Sequence, residues 1–540
     1  MTIVGAFYGG GNKTVPAGKC LLHLSINTID RLNLATASWT VTATGKSFSA
    51  TADSTGRADL LVDSGLTYTV TLTHQGSYYN DDPQTVAATS TGVVWVYFDL
   101  FQYPDIKTVV QVLSKPGSTV TATSGSSTMT KTANSAGLAE FDGLATASVW
   151  TFSANNESKT ITIDRLLTTI EVGNMMIFGV RVAKSTSSPD SRCVYIDDCA
   201  GYTPFVNNSG SFSSGSWAGN GLIKDIKPVA KSGSTWTDLD KRSLSGCPTS
   251  TAGDAFVEVP TWWLSWTCDS NYHYIRFSNK KVDDTYQKYA SMYEGKDVGM
   301  FHYGLFDMIV SSSKGYSYSG ATPTVNTSIT NFISYAQARG EGYDLATFYQ
   351  TMYLIALMVL LFKSTDGQSV VGKGYTGGSS VQSRTKLTFS NDYGMAGSKT
   401  SGTTPMAFLW IHDFWGNVLD FIGGAKTNSA CKLMTITGGK SSVDESKFTQ
   451  RATTISSSSS GWASDVEGTP ETGPFPKAFS GSSSTFWCDR GYVSASSFPY
   501  FGGSYNDGGY AGPFDWRFGY SATGTYSDIG SRLSYRAGRA

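Results

Sequence analysis

Two hydrophobic rhythms divide this chain. Over residues 19–101 apolar positions alternate or run together in strand-length segments, as in LLHLSI, SWTVTAT, TYTVTLT and VVWVYFDL. A two-residue period puts one set of side chains on one face, so these segments predict the strands of an all-β module. Residues 102–172 do the same with shorter elements. The two stretches share a weak internal repeat: Val41–Leu60 reads VTATGKSFSATADSTGRADL and Val120–Phe141 reads VTATSGSSTMTKTANSAGLAEF. Each holds a strand, a Thr/Ser-rich partner, a D/N-S-x-G turn and a short apolar strand. Gly56 and Gly137 occupy the turn position where a positive φ is cheap. The expectation is a pair of immunoglobulin-like β-sandwich modules, 19–101 and 102–172, of the type that serves as spacers. The Gly-rich residues 1–18 read as an attachment arm or an edge strand.

The rhythm then changes. Residues 173–254, with the loop-like NNSGSFSSGSWAGNG, read as a linker and the start of the C-terminal region. From 255 to 540 the chain is dense in Trp, Tyr and Phe. Ile329, Phe332, Ile333 and Ala336 fall at helical spacing, with Ser328 as N-cap and Gly340 as stop. A second helix is expected through Leu345, Phe348, Met352, Ile355 and Val359, capped by Asp344. The longest apolar run, Leu354–Phe362, is nine residues, too short for roughly 30 Å of hydrocarbon, and reads as a buried helix.

Composition narrows the function classes. The chain has 540 residues, 40% apolar but only 15% charged, against roughly 25% for an average soluble protein. Gly, Ser, Thr and Tyr fill the gap, giving a neutral, hydroxyl-rich surface suited to an extracellular or virion protein. Lys plus Arg total 41 and Asp plus Glu 42, so no charge excess draws the chain to nucleic acid or to a membrane. The opening MTIVGAFYGGG lacks the basic start and apolar stretch of an export signal. The seven cysteines (Cys20, Cys193, Cys199, Cys247, Cys268, Cys431 and Cys488) are odd in number and scattered, which argues against a disulfide scaffold. Cys193 and Cys199 have no second Cys or His pair nearby to make a zinc site.

Four segments of the C-terminal half, taken in order, carry a resemblance. They are VEVPTWWLSW with NYHYIRFSNKKVD, the stretch Tyr318–Gln350, FLWIHDFWGNVLDFIGG at Phe408–Gly424, and Phe501–Arg536, which opens FGGSYNDGGYAGPFDWRFGY. The sequence resembles phage tail-fibre and receptor-binding proteins with a C-type-lectin-like domain of the formylglycine-generating-enzyme type. It is also similar to retroelement-diversified variable proteins such as the phage major tropism determinant. Two departures stand out: Tyr505 where that family usually has Trp, and Ser531 in place of the alanine of its G-A-R ending. The resemblance implies an α+β C-type-lectin-like domain over 255–540 and a homotrimer. It leaves room for calcium with no ligand assigned, and no other cofactor is expected.

The residues suggest where such a domain would grip. Gly502-Gly503 and Gly508-Gly509 frame Ser504-Tyr505-Asn506-Asp507, and beyond Gly512 come Phe514-Asp515-Trp516-Arg517, Tyr520 and Tyr526. Tyr and Trp offer wide, rigid contact at low entropic cost, and Arg adds bidentate bonds. The candidate receptor-binding set is Tyr505, Asn506, Asp507, Tyr510, Asp515, Trp516, Arg517 and Tyr520, joined by Asp489 and Tyr492 from the loop before. Core packing competes with binding at each of them. Alternation in FDWRFGY sends Trp516 toward a core and leaves Asp515 and Arg517 as the exposed pair. Trp415, Phe421 and Leu533 read as core, and Arg532 as a structural pin for the last strand.

An enzyme finds little support. Cys431 and Cys488 lie far apart and outside any Cys-x-Pro-Ser-Arg setting, and HExxH, DxDxDG and G-x-S-x-G do not occur. His412-Asp413 are neighbours on one strand and point apart, with no nucleophile evident. His273 and His302 read as neighbours of aromatic clusters. The leading reading is a non-enzymatic phage virion fibre or tail-tip protein, made in the host cytoplasm, that binds a host cell-surface receptor. Its N-terminal region would meet other virion proteins. A structural or head-decoration fibre with a weak adhesive role is the alternative.

Overall fold

The computed structural model describes residues 3–4, 15–28, 38–53, 56–72, 78–79, 83–88, 91–102, 108–145, 147–155 and 157–538. The chain is a multidomain, mostly β-stranded protein that divides into two compact units, Met1–Met175 and Met176–Ala540.

The N-terminal unit holds two sandwiches built to one plan. In the first, Ser38–Ala43 pairs with Lys46–Thr51 and with Leu66–Leu72, which pairs in turn with Gln84–Ala88. Its second sheet joins Lys19–Thr28 antiparallel to Arg57–Asp63 and parallel to Gly92–Gln102. In the second sandwich, Thr119–Ser124 pairs with Ser127–Thr132 and with Val149–Ala154, which pairs with Glu157–Thr162. Val109–Leu113 then joins antiparallel to Leu138–Asp142 and parallel to Leu167–Glu171. Every pairing of the second module has its counterpart in the first, so the weak sequence repeat marks equivalent strands. Gly56 and Gly137 take φ of +74° and +80°, and a Cβ on Gly137 would fall 2.5 Å from the Ser114 carbonyl oxygen. Alternating side chains fill separate cores, one around Trp39, Tyr68 and Phe98, the other around Val110, Phe141 and Phe152. Of the expected arm 1–18, Ile3–Val4 pairs parallel with Phe48–Ser49. Residues 5–14 lie outside the described residues.

Within 173–254, read as a linker and the start of the C-terminal region, strands of the C-terminal unit begin at Ile177. Ile177–Ala183 pairs with Cys193–Asp197 and Tyr272–Ser278, and Lys227–Ser232 pairs with Asp254–Pro260. Phe178, Val180 and Val182 alternate into the main core. The Gly/Ser-rich run Asn207–Gly221 itself holds only the short hairpin Val206–Asn208 with Ser211–Ser213 and one helical turn.

The C-terminal unit holds a five-stranded sheet and an eleven-stranded sheet, and its two longer helices contribute to the core clusters packed on them. Helix α1, Ile329–Gln337, is capped by Ser328, whose side chain accepts from the Asn331 N–H. Helix α2, Phe348–Phe362, is buried at all 15 positions. Its cap is Thr347, not Asp344. Thr347 and Gln350 form a reciprocal capping box. Asp344 lies in the strand Tyr343–Leu345, where its carboxylate accepts from Arg536 at 2.6 Å and from the Ser441 N–H at 2.8 Å. An ion pair already occupies the group that a cap would need. Among the described residues no helix is long and apolar enough to cross a membrane.

Arg532 ties the long sheet together. It is fully buried in Ile529–Tyr535, between Met300–Asp307 and Leu419–Phe421. Its guanidinium pairs with Asp307, donates to Asp420 at 3.0 Å, and donates to the carbonyls of Gly304 and Asp413 at 3.3 and 3.1 Å. Burial raises both carboxyls above their ordinary range. Trp415, Phe421 and Leu533 are all core residues. Breaking a buried ion pair by deleting one partner leaves uncompensated charge and costs about 3–5 kcal/mol. Arg532→Ala is therefore expected to lower the free energy of unfolding in urea of this unit by that much; a loss under about 1 kcal/mol would contradict the role.

Candidate functional site

Four strands at one end of the long sheet set up a mixed face. They are Phe498–Phe501, Trp516–Tyr520, Arg490–Val493 and the edge strand Ser459–Trp462. Strict alternation buries Val493, Trp516 and Phe518. It turns Ser460, Trp462, Arg490, Tyr492 and Arg517 to the opposite, partly exposed face. Trp462 pairs across from Arg490, and Tyr492 sits opposite both Ser460 and Arg517. Tyr500, Tyr520 and Tyr526 extend the face as a stacked column, with ring centroids 4.7 and 3.7 Å apart.

A glycine-framed loop rests on this face. Gly502 and Gly503 take φ of +94° and +84°, and a Cβ on Gly503 would meet Ala511 at 2.4 Å. The backbone is then fastened on both sides. Tyr505 N–H donates to Asn417 at 3.1 Å, its carbonyl accepts from Gly378 N–H at 2.6 Å, and Gly508 N–H donates to Thr376 at 2.8 Å. Gln368 donates to the carbonyls of Gly508 and Ala511 at 2.8 and 2.7 Å.

Arg517 joins loop to sheet. It donates in bidentate fashion to Asp515, at 2.7 Å from both Nε and a terminal nitrogen, and to Asp507 at 2.8 Å. The other Asp507 oxygen accepts from the Ser504 N–H at 2.7 Å and its hydroxyl at 2.9 Å. Burial opposes charge on Arg517, yet the two carboxylates hold its proton above the ordinary range. Burial would also raise Asp507, but Arg517 and the Ser504 hydrogen bonds bring it below the usual carboxylate range. Burial pushes Asp515 up to about 7, against the pull of Arg517.

This geometry corrects several sequence expectations. Asp515 is fully buried rather than exposed, and Arg517 keeps only 12% of its side chain open, because the two neutralise each other beneath the loop. Trp516 is core, with its ring 5.1 Å from Phe348 and 5.0 Å from Phe501. Asp489 is also buried; it accepts from the Phe514 N–H at 2.7 Å, under Gly512. Tyr492, Tyr505, Asp507 and Tyr520 are half-buried, Asn506 is exposed, and Tyr510 is 39% exposed. The loop before, Cys488–Tyr492, also brings Arg490, whose guanidinium sits 5.0 Å over the Tyr510 ring. One neighbour is not among the sequence-predicted residues: the Trp462 ring lies 4.9 Å from that of Tyr510. The alternation Ser460-x-Trp462 after a serine run was the available signal.

The other titratable groups have structural partners. His412 accepts from the Leu387 N–H at 2.9 Å, and burial pushes it down to about 3, leaving it neutral. Asp413 pairs with Arg384. His302 stacks on Trp236 at 4.2 Å and contacts Glu258 at 3.0 Å; His273 contacts Asp465 at 2.7 Å. All seven cysteines are free, and among the described residues no group of three or more His, Cys, Asp or Glu is arranged for a metal ion.

No family model matches the chain, and no curated protein matches it. Among solved structures, a Major Tropism Determinant P3c variant is 11% identical over 57% of this chain and 71% of its own, with a TM-score of 0.23. Shaft pilin SpaA from Lactobacillus rhamnosus GG is 8% identical over 29% and 98%, with a TM-score of 0.14. The Bacillus anthracis TIE protein is 10% identical over 48% of this chain and 43% of its own, with a TM-score of 0.15. These are distant likenesses, and scores this low assign no fold.

The Asp515 carboxyl gives a pH dependence of definite sign. Its folded value, about 7, stands above the ordinary 3.8. Its stabilising contribution is therefore complete below about pH 4 and is lost as pH rises through about 7. Asp515→Asn is expected to flatten the decline of urea midpoint across that window; an unchanged slope would contradict the assignment.

Proposed function

We propose that this chain is a non-enzymatic phage virion fibre or tail-tip protein that binds a host cell-surface receptor through the loop-covered end of its long sheet. The observation that carries this reading is the Gly502–Tyr510 loop, pinned by Arg517 and by backbone hydrogen bonds on both sides, with Tyr510 and Asn506 left in solvent. A fixed backbone presenting amphipathic side chains loses little entropy on contact. The receptor-binding set narrows to Tyr505, Asn506, Tyr510, Tyr520 and Tyr492, with Trp462 and Arg490 added. Arg517, Asp507, Asp515, Trp516 and Asp489 act beneath them as positioning and packing residues.

In this proposal the C-terminal unit is a C-type-lectin-like domain, the two sandwiches are spacers, and the N-terminal end meets other virion proteins. Homotrimeric display would let three weak contacts act together. The matched topology of the two sandwiches also favours a second reading, a structural or head-decoration fibre with a weak adhesive role.

Adsorption of the purified full chain to host cells separates the two. Tyr510→Ala is expected to weaken binding at least about tenfold, the scale of a modest interface anchor, with an unchanged circular dichroism spectrum. Binding that survives both Tyr510→Ala and Asn506→Ala would remove the receptor-binding role from this loop.

A further inference from the structure

Arg490 differs from the other arginine of this face, since Arg517 is committed to two carboxylates. Among the described residues, no ion pair or side-chain hydrogen bond occupies the Arg490 guanidinium. Its recorded side-chain neighbour is an aromatic face, the ring of Tyr510 at 5.0 Å. The nearby acids Asp507 and Asp515 are already held by Arg517. A planar fork of N–H donors, partly exposed and uncommitted, matches a carboxylate in two-point contact.

The surroundings define what carries that carboxylate. Trp462 is the cross-strand neighbour of Arg490, and its ring makes a 40° angle with that of Tyr510, at 4.9 Å between centroids. At this distance the two rings lean on each other, and both stay partly exposed, so they offer an apolar wedge to solvent. The polar groups beside it are hydroxyls and an amide: Ser460, Ser483 and Asn506 are all exposed. Gly509 leaves the Trp462 edge of this wedge uncovered. A Cβ there would come only to 3.7 Å from Ser483 and 3.8 Å from the Trp462 ring, so a long side chain at 509 would fold over the aromatic face without strain.

We infer that this corner is a subsite for an acidic sugar, a carboxylated pyranose whose ring lies against Trp462 and Tyr510 and whose carboxylate meets Arg490. The inference rests on the receptor-binding reading of the same surface and names the chemistry that surface selects. Aromatic faces supply stacking to the sugar, while the cation–π contact with Tyr510 keeps the guanidinium in place. Recognition of the carboxylate by charge-assisted bonds sets the preference over a neutral sugar.

The test uses the full chain on an array of glucuronate-, galacturonate- and sialate-terminated oligosaccharides, each beside its carboxyl-reduced form. At least one acid is expected to bind tenfold or more above its reduced form. Arg490→Gln should erase that preference, and Gly509→Leu should weaken both forms together. No acid preferred over its reduced form, or a preference that survives Arg490→Gln, would overturn the inference. Adsorption of the Tyr510→Ala protein to host cells, run in parallel, keeps the two claims apart. Lost adsorption with no acid preference leaves the binding surface standing and removes the acidic sugar. Acid preference with unchanged adsorption keeps the subsite and removes its role in host attachment.

Discussion

The bidentate contact of Arg517 with Asp515, extended to Asp507, is the interaction on which the candidate surface depends. It crosses from a central strand to the loop lying over that strand, with all three side chains largely removed from solvent. Desolvating three charged groups is costly, and the arrangement holds because each guanidinium bond meets a carboxylate oxygen and Ser504 satisfies the remaining Asp507 oxygen. One residue thereby converts a glycine-rich segment, which alone would be floppy, into a fixed platform. Glycine contributes twice, by allowing the turn at Gly502-Gly503 and by admitting Asp489 under Gly512.

A second charged knot supports the first from within. Arg532 holds the strands Met300–Asp307 and Leu419–Phe421 to the last strand, and Leu419–Phe421 pairs with Phe498–Phe501, which pairs with the strand of Arg517. Hydrophobic burial supplies most of the stability, centred on the fully buried α2 and the aromatic core around it. The buried ion pairs of Arg532 tie the last strand to the strands of Asp307 and Asp420. The result is a sheet whose inner side is packed with aromatics and whose outer side, at one end, offers them to solvent.

Much of this was legible in the sequence, for identifiable reasons. The paired sandwiches followed from two-residue alternation and from the repeat around Gly56 and Gly137. Helix α1 followed from the spacing of Ile329, Phe332, Ile333 and Ala336, and the structural role of Arg532 from its place in the final apolar strand. What could not be read depends on contacts between distant segments. Alternation correctly placed Arg517 opposite Trp516, but only the returning loop shows that Asp515 and Arg517 are covered. Alternation could place Trp462 on a strand face, but its ring contact with Tyr510 depends on the returning loop. The cap of α2 shifted from Asp344 to Thr347 because Arg536, almost at the end of the chain, claims the aspartate.

Oxidative footprinting of the full chain, free and adsorbed to envelopes of a strain that it binds, addresses the central claim most directly. The account requires protection at Trp462, Tyr505 and Tyr510, with the outward-facing Trp95 and Tyr97 of the first sandwich, 52% and 55% exposed, reacting as before. Unchanged reactivity at Trp462 and Tyr510, with protection at Trp95 and Tyr97 instead, would contradict it.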